Sequence, residues 1–289
     1  MKHIREKISA IVFVHNEEMY ISSLIDSINN QTCKVDQIII CDDFSTDNTL
    51  GIIQNKKNNL SKNINIKIIN NKKKGKVYAY EEALKSVDTE LFFVCAGDDV
   101  LKRDYVKSMM SFINKYKIDF AYSNHVWVDS NLNFIKYTEK NLFYTVNDLI
   151  YSNFAGGMIF GRSYIIKQYI PFPKGLTFED WYVALFLSDK FGKCYINNNK
   201  NYLYRRHDGA DTFISTRKDK VNLVKRDVLF FQLLVNINFY KDMFKNRITF
   251  YNGKIKKISF IKFIKILSLR NITSMEKIKF IIIKLTRYY

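Results

Sequence analysis

The chain of 289 residues is 47% hydrophobic and 15% aromatic, which excludes a disordered protein and supplies enough apolar mass for a sizeable core. Its net charge of +18 is concentrated at one end: residues 217–289 hold 18 Lys+Arg against 4 Asp+Glu, a balance of +14, leaving +4 for residues 1–216. No run of about 18 apolar residues occurs, so no membrane-spanning helix is predicted, and 2 prolines and 10 glycines make no Pro/Gly linker.

In chain order, Ile8 to Val14 reads as a buried strand. It is too short for a secretory leader and runs into the polar break His15-Asn16-Glu17-Glu18. Met19 to Asn30 is a helix with one apolar face, Ile21, Leu24, Ile25 and Ile28. Gln37 to Cys41 is a second strand ending in Asp42-Asp43, and a short helix capped at Ser45 or Thr46 follows to about Asn59. Ile64 to Ile69 is a third strand, Lys72 to Lys76 a basic loop, and Val77 to Val87 a helix. Leu91 to Cys95 is a fourth strand, with a turn at Gly97 before Asp98-Asp99. This alternation predicts an α/β fold with a mostly parallel central sheet flanked by helices. Cys33, Cys41, Cys95 and Cys194 form no Cys-x-x-Cys pair and read as buried free thiols of a reducing compartment.

In such a sheet Asp42-Asp43 and Asp98-Asp99 share the carboxyl edge, where open α/β sheets bind ligands. Two adjacent carboxylates repel unless a cation sits beside them, and oxygen ligands suit Mg²⁺ or Mn²⁺. An aspartate just past a strand can hydrogen-bond a base or ribose, and Lys74 and Lys76 can reach a pyrophosphate. No G-x-G-x-x-G or P-loop pattern is present, so dinucleotide and P-loop sites are weak alternatives.

The runs Ile11 to Glu18, Ile39 to Thr49 and Ala96-Gly97-Asp98-Asp99 resemble the family two glycosyltransferases of the GT-A nucleotide-sugar-binding fold. The stretch Asp42 to Thr49 is the most specific match. Ala155 to Phe160 resembles the family's Gly-rich donor segment, Phe178-Glu179-Asp180-Trp181 its Glu-Asp motif, and Tyr204-Arg205-Arg206-His207 its late Arg/His motif. The resemblance covers roughly residues 6–215. It implies a catalytic domain over residues 1–215, and the Lys-rich apolar pattern beyond it reads as a basic helical region over residues 216–289.

The resemblance implies a role for each matching residue. Asp43 contacts the nucleotide base, with Val14, Asn16 and Glu17 beside it. Asp98 is the metal ligand, for Mg²⁺ or Mn²⁺, with Asp99 next to it. Lys76, Gly156 and Gly157 complete the donor site. Asp180 is the catalytic base, Glu179 and Trp181 meet the acceptor, with a helix cap and helix core as their respective alternatives, and Arg206 and His207 approach the diphosphate or the metal. Three positions depart from the family pattern: Ala96 replaces a frequent aspartate, Val14 stands near a usual proline, and Tyr80-Glu81 replaces an Arg-Asn pair.

The activity so implied is inverting, metal-dependent transfer of a sugar from a nucleoside diphosphate, most often uridine diphosphate. The acceptor is a saccharide or lipid-linked saccharide of surface polysaccharide synthesis in a bacterium. A sugar-phosphate nucleotidyltransferase is the enzymatic alternative, but His15 to Glu18 stands where that class needs a Gly-rich basic loop. A basic binding protein with a degenerate catalytic domain is the other. The stretches Lys254 to Leu269 and Lys277 to Tyr289 mix lysines with Ile and Phe as basic amphipathic helices do, which suits an anionic membrane surface, the alternative being a helical bundle packed on the catalytic domain with its lysines outward. The expected location is therefore cytoplasmic, peripheral on the inner face of the membrane. No nucleic-acid-binding motif accompanies the charge.

Overall fold

Strand β1 (Ile8–Val14) lies at the centre of the first half of the chain, between β2 (Gln37–Asp42) and β4 (Leu91–Ala96), parallel to both. Both faces of these strands are buried, which is why they read as continuous apolar runs rather than alternating ones. The computed structural model describes residues 5–60, 64–208, 217–240, 244, 245 and 247–249. They fall into two compact units, Met1–Phe172 with Glu179–Asp211, and Pro173–Phe178 with Thr212–Tyr289.

The first unit opens as the alternation predicts: β1, α1 (Ile21–Asn29), β2, α2 (Thr49–Asn59), β3 (Asn65–Asn70), α3 (Lys76–Lys85) and β4. Ile21, Leu24, Ile25 and Ile28 of α1 are fully buried, as their spacing requires. The cap of α2 is placed differently. Asn48 precedes the helix, and Asp47 Oδ1 accepts the Thr49 N–H at 3.0 Å, so neither Ser45 nor Thr46 caps it.

From here the sheet stops being parallel. Next come β5 (Val100–Leu101), α4 (Tyr105–Tyr116), β6 (Phe120–Ser123), β7 (Val126–Val128), β8 (Phe134–Lys136) and β9 (Phe143–Tyr144). Then follow α5 (Val146–Leu149), β10 (Ile159–Arg162), α6 (Ile166–Tyr169), α7 (Glu179–Phe191), β11 (Cys194–Asn197) and β12 (Tyr202–Arg205). The larger sheet has the order β3-β2-β1-β4-β10-β6-β11-β9, with β10 antiparallel to both β4 and β6. The start of β10 therefore lies at the edge where β4 and β6 end. A smaller sheet, β5-β12-β7-β8, pairs β12 antiparallel to β5 and parallel to β7. That pairing returns the end of β12 to the turn just before β5.

In the second unit, α8 (Arg217–Asn236) buries Phe230, Phe231 and Leu234. Phe230 meets Phe178 edge-on at 5.7 Å, and the Arg226 guanidinium lies 4.8 Å from the Phe178 ring. The basic stretches 254–269 and 277–289 lie outside the described residues. Among the described residues no helix is long and apolar enough to cross a membrane. All four cysteines are free thiols, with Cys41, Cys95 and Cys194 buried.

Candidate active site

Three groups of side chains meet the carboxyl edge of the larger sheet. The first follows β1 and β2. Asp43 Oδ1 accepts the Gly75 N–H at 2.7 Å and the Asn71 Nδ2 amide at 2.9 Å, and the Asp43 N–H donates to the Val14 carbonyl at 2.8 Å. The loops are clasped reciprocally. Asn16 Oδ1 accepts the Thr46 N–H at 2.8 Å, Glu17 N–H donates to Thr49 Oγ1 at 2.7 Å, and Glu18 Oε2 accepts the Asn48 N–H at 2.8 Å. Asn16 takes a left-handed conformation, φ 58°, which asparagine tolerates better than most residues.

The second group follows β4. Gly97 is required by packing rather than by its own turn geometry: a Cβ there would stand 2.8 Å from Val14 Cγ1 and 3.0 Å from Glu17 Cγ. Asp98 Oδ2 lies 3.0 Å from His207 Nε2. Asp99 is fully buried and accepts from the Tyr202 hydroxyl at 2.6 Å and the Arg205 N–H at 2.9 Å. Burial and the neighbouring Asp98 push the Asp99 carboxyl well above the usual range, against the opposite pull of these two donors. The Arg205 guanidinium donates from Nε to the Asp98 carbonyl at 2.7 Å and lies 4.6 Å from the Tyr20 ring. Tyr20 also stands against the His207 ring, 4.7 Å between centroids.

The third group opens α7, whose first turn favours acidic residues. Asp180 Oδ2 accepts from Asn153 Nδ2 at 2.8 Å, and Oδ1 accepts the Trp181 N–H at 2.8 Å. Glu179 Oε1 pairs with Lys76 Nζ at 3.0 Å. Burial raises the Asp180 pKa, with Glu179 adding to the rise and Lys76 and Asn153 opposing it. Gly157 packs on this carboxylate: its Cβ position is 3.8 Å from Asp180 Oδ2. Gly156 carries φ +77°, a conformation that favours glycine.

Several expected contacts take another form. The Val14 side chain is buried against Gly97 and offers the site only its carbonyl, already bonded to Asp43. Asp99 is enclosed behind Asp98, where it ties the turn to β12 and does not face the cleft. Trp181 is 7% exposed and donates from Nε1 to the Leu149 carbonyl at 2.7 Å, so it is helix core and not an acceptor platform. Lys76 stands at the α7 carboxylates. The Arg206 guanidinium stacks on Trp127 at 4.9 Å, and Arg205 is the arginine behind Asp98. Asn153, 27 residues before its partner Asp180, leaves no signal in the sequence.

This strand order, with carboxylates at the ends of β2 and β4, is the GT-A form of an α/β fold. A model of glycosyl transferase family 2 matches residues 9–174, more than half of the chain, and the chain belongs to that family. One relative is the dolichyl N-acetyl-alpha-D-glucosaminyl phosphate 3-beta-D-2,3-diacetamido-2,3-dideoxy-beta-D-glucuronosyltransferase of Methanococcus voltae. It is 32% identical over 114 residues, 38% of this chain and 35% of that protein. Another is the UDP-Glc:alpha-D-GlcNAc-diphosphoundecaprenol beta-1,3-glucosyltransferase WfaP of Escherichia coli, 33% identical over 120 residues, 42% of this chain and 46% of that protein. The chain thus spans less than half the length of each. The crystal structure of S. aureus TarS 1–349 superposes with a TM-score of 0.60 at 18% identity, covering 90% of this chain and 79% of that one. Its complex with UDP-GlcNAc gives a TM-score of 0.59 at 19% identity, covering 90% of this chain and 78% of that one. These likenesses extend the fold beyond the segment that the family model matches.

Proposed function

We propose that the chain is an inverting glycosyltransferase that moves a sugar from a nucleoside diphosphate, preferentially uridine diphosphate, to a saccharide acceptor. The observation that carries this reading is the gathering of Asp43, the Asp98–His207 pair and the Asp180–Asn153 pair at one sheet edge. The WfaP relative is named for a diphosphoundecaprenol-linked acceptor and TarS is solved with UDP-GlcNAc, which supports a nucleotide-sugar donor and a lipid-linked or polymeric acceptor.

Among the described residues no cluster of three or more His, Cys, Asp and Glu side chains forms a complete cation cage. Asp98 and His207 nevertheless fit Mg²⁺ or Mn²⁺, which commonly take one or two protein ligands and complete their shell with substrate phosphates and water. Bound there, the cation supplies charge stabilisation to the departing diphosphate. The chain's own residues do the rest. Asp43 holds the base, with its second oxygen turned from the Gly75 and Asn71 bonds. Asp180 accepts the acceptor hydroxyl's proton as that oxygen bonds to the anomeric carbon and the bond to the diphosphate breaks on the opposite face. A raised pKa makes Asp180 a stronger base than an exposed aspartate.

Thermal stabilisation by nucleotide-sugars, with Mn²⁺ or with chelator, tests the reading. A UDP-sugar at 100 times its Kd should add about 2.7 kcal/mol with the cation present. Asp98→Asn should lose that cation-dependent gain while keeping the unliganded transition. A chain that gains nothing from any nucleotide-sugar, or gains equally in chelator, overturns the donor site or its cation.

A further inference from the structure

Lys140 has no task in the chemistry above, yet its position is tightly built. Asn198 Oδ1 accepts its N–H at 3.1 Å and Asn198 Nδ2 donates to its carbonyl at 2.7 Å. Asn124 Nδ2 in turn donates to Asn198 Oδ1 at 2.8 Å and to the Thr138 carbonyl at 2.9 Å. Asn124 follows β6 and Asn198 follows β11, two parallel neighbours, and β6 runs in the same direction as β4 because β10 is antiparallel to both. The clamp therefore stands on the edge that also carries Asp98. The ammonium points at the Gly156-Gly157 segment: Nζ lies 3.9 Å from a Gly156 Cβ position, while Asp180 lies against Gly157. A cation and the candidate base thus flank the same two residues.

No carboxylate among the described residues neutralises this ammonium, and burial alone pulls its pKa down to about 8. A half-buried ammonium without a counter-charge gains most from a ligand that supplies the anion. Next to Lys140, burial and the ammonium hold the His125 ring neutral, with a pKa near 3, and its buried Nδ1 has no hydrogen-bond partner among the described residues. From His125 an aromatic strip continues to Trp127, stacked at 6.4 Å, and Tyr204 at 5.0 Å. Trp127 and Tyr204 are register partners on β7 and β12, and Arg206 covers the Trp127 ring.

We propose that Lys140, with the His125–Trp127–Tyr204–Arg206 strip beside it, forms an acceptor subsite that binds a phosphate ester carried by the acceptor. This rests on the glycosyltransferase reading of Asp180. Two acceptor classes carry such a group: a saccharide on a lipid-linked diphosphate, and a polyol-phosphate chain. Calorimetric titration of the full chain, with and without UDP, separates them. The probes are a short-chain alkyl glycosyl diphosphate, a short polyol-phosphate oligomer and an uncharged alkyl glycoside.

One phosphate-bearing probe should bind about tenfold or more tightly than the glycoside, as a charge-assisted contact requires. Lys140→Met should remove that preference and Lys140→Arg should keep most of it, both with unchanged UDP affinity. Equal affinity of wild type for all three probes overturns the proposal, as does a preference that survives Lys140→Met. A matching loss of UDP affinity in Lys140→Met also overturns it, because Lys140 then serves the donor's diphosphate. Failure of wild type to bind UDP counts against the donor reading alone, since the contrast between probes is also measured without UDP.

Discussion

At the scale of single residues, Asp180 is tuned by neighbours that can be removed one at a time. Asn153 donates to the carboxylate and Lys76 lowers its pKa, so both favour the charged form that accepts a proton. Asn153→Ala deletes a partner of the anion, and the Asp180 pKa must rise further. The acid limb of kcat/KM against pH should then move to higher pH, and Lys76→Met should move it the same way. A limb that stays fixed in both variants removes Asp180 from the proton transfer. Asp180→Asn should lower kcat by about 10²–10⁴-fold, the usual contribution of a general base. Its UDP affinity should stay near wild type, because the base acts on the acceptor. Retained turnover with lost UDP binding would make Asp180 a donor contact and Glu179 the candidate base.

At the scale of elements, the sequence was most informative where burial on both faces leaves an unbroken apolar run. The strands around Ile8 to Val14, Gln37 to Cys41 and Leu91 to Cys95, and the one-sided helix at Ile21 to Ile28, were legible for that reason. The antiparallel β10 and the smaller sheet were not, because strands of two to four residues carry too few periods to register. The same gap hid Arg205 and assigned Arg206 to the diphosphate. Gly97 was legible as a needed glycine but for the wrong cause, since its constraint comes from Val14 and Glu17 across the turn. Gly97→Ala should therefore cost about 1–3 kcal/mol by overpacking. Denaturant unfolding of the variant checks this, and a cost near zero would mean that β1 yields easily.

At the scale of the whole molecule, the charge is divided so that residues 217–289 carry +14 of the net +18. If this region holds the enzyme to an anionic bilayer, each lysine near the surface contributes about 1 kcal/mol, screened within a Debye length of about 10 Å at 0.1 M salt. Changing Lys256, Lys257, Lys262 and Lys265 together to Gln should release the chain from anionic vesicles in co-sedimentation at low salt. Transfer to a short soluble acceptor should persist. Equal sedimentation of both proteins, or of neither, would remove the membrane from the account.

The enclosed Asp99 carries a consequence for how the protein is made. Its two donors, Tyr202 and Arg205, lie 103 and 106 residues further along the chain. A chain leaving the ribosome can assemble β1 to β4 early, but it meets Asp99 as an unmatched acid until β12 has emerged. The turn that carries Asp98 is locked only then, so the group of carboxylates at the sheet edge is completed near the end of synthesis of the first unit. An unfinished chain would thus carry Asp43 and Asp180 while the turn at Asp98 is still unlocked.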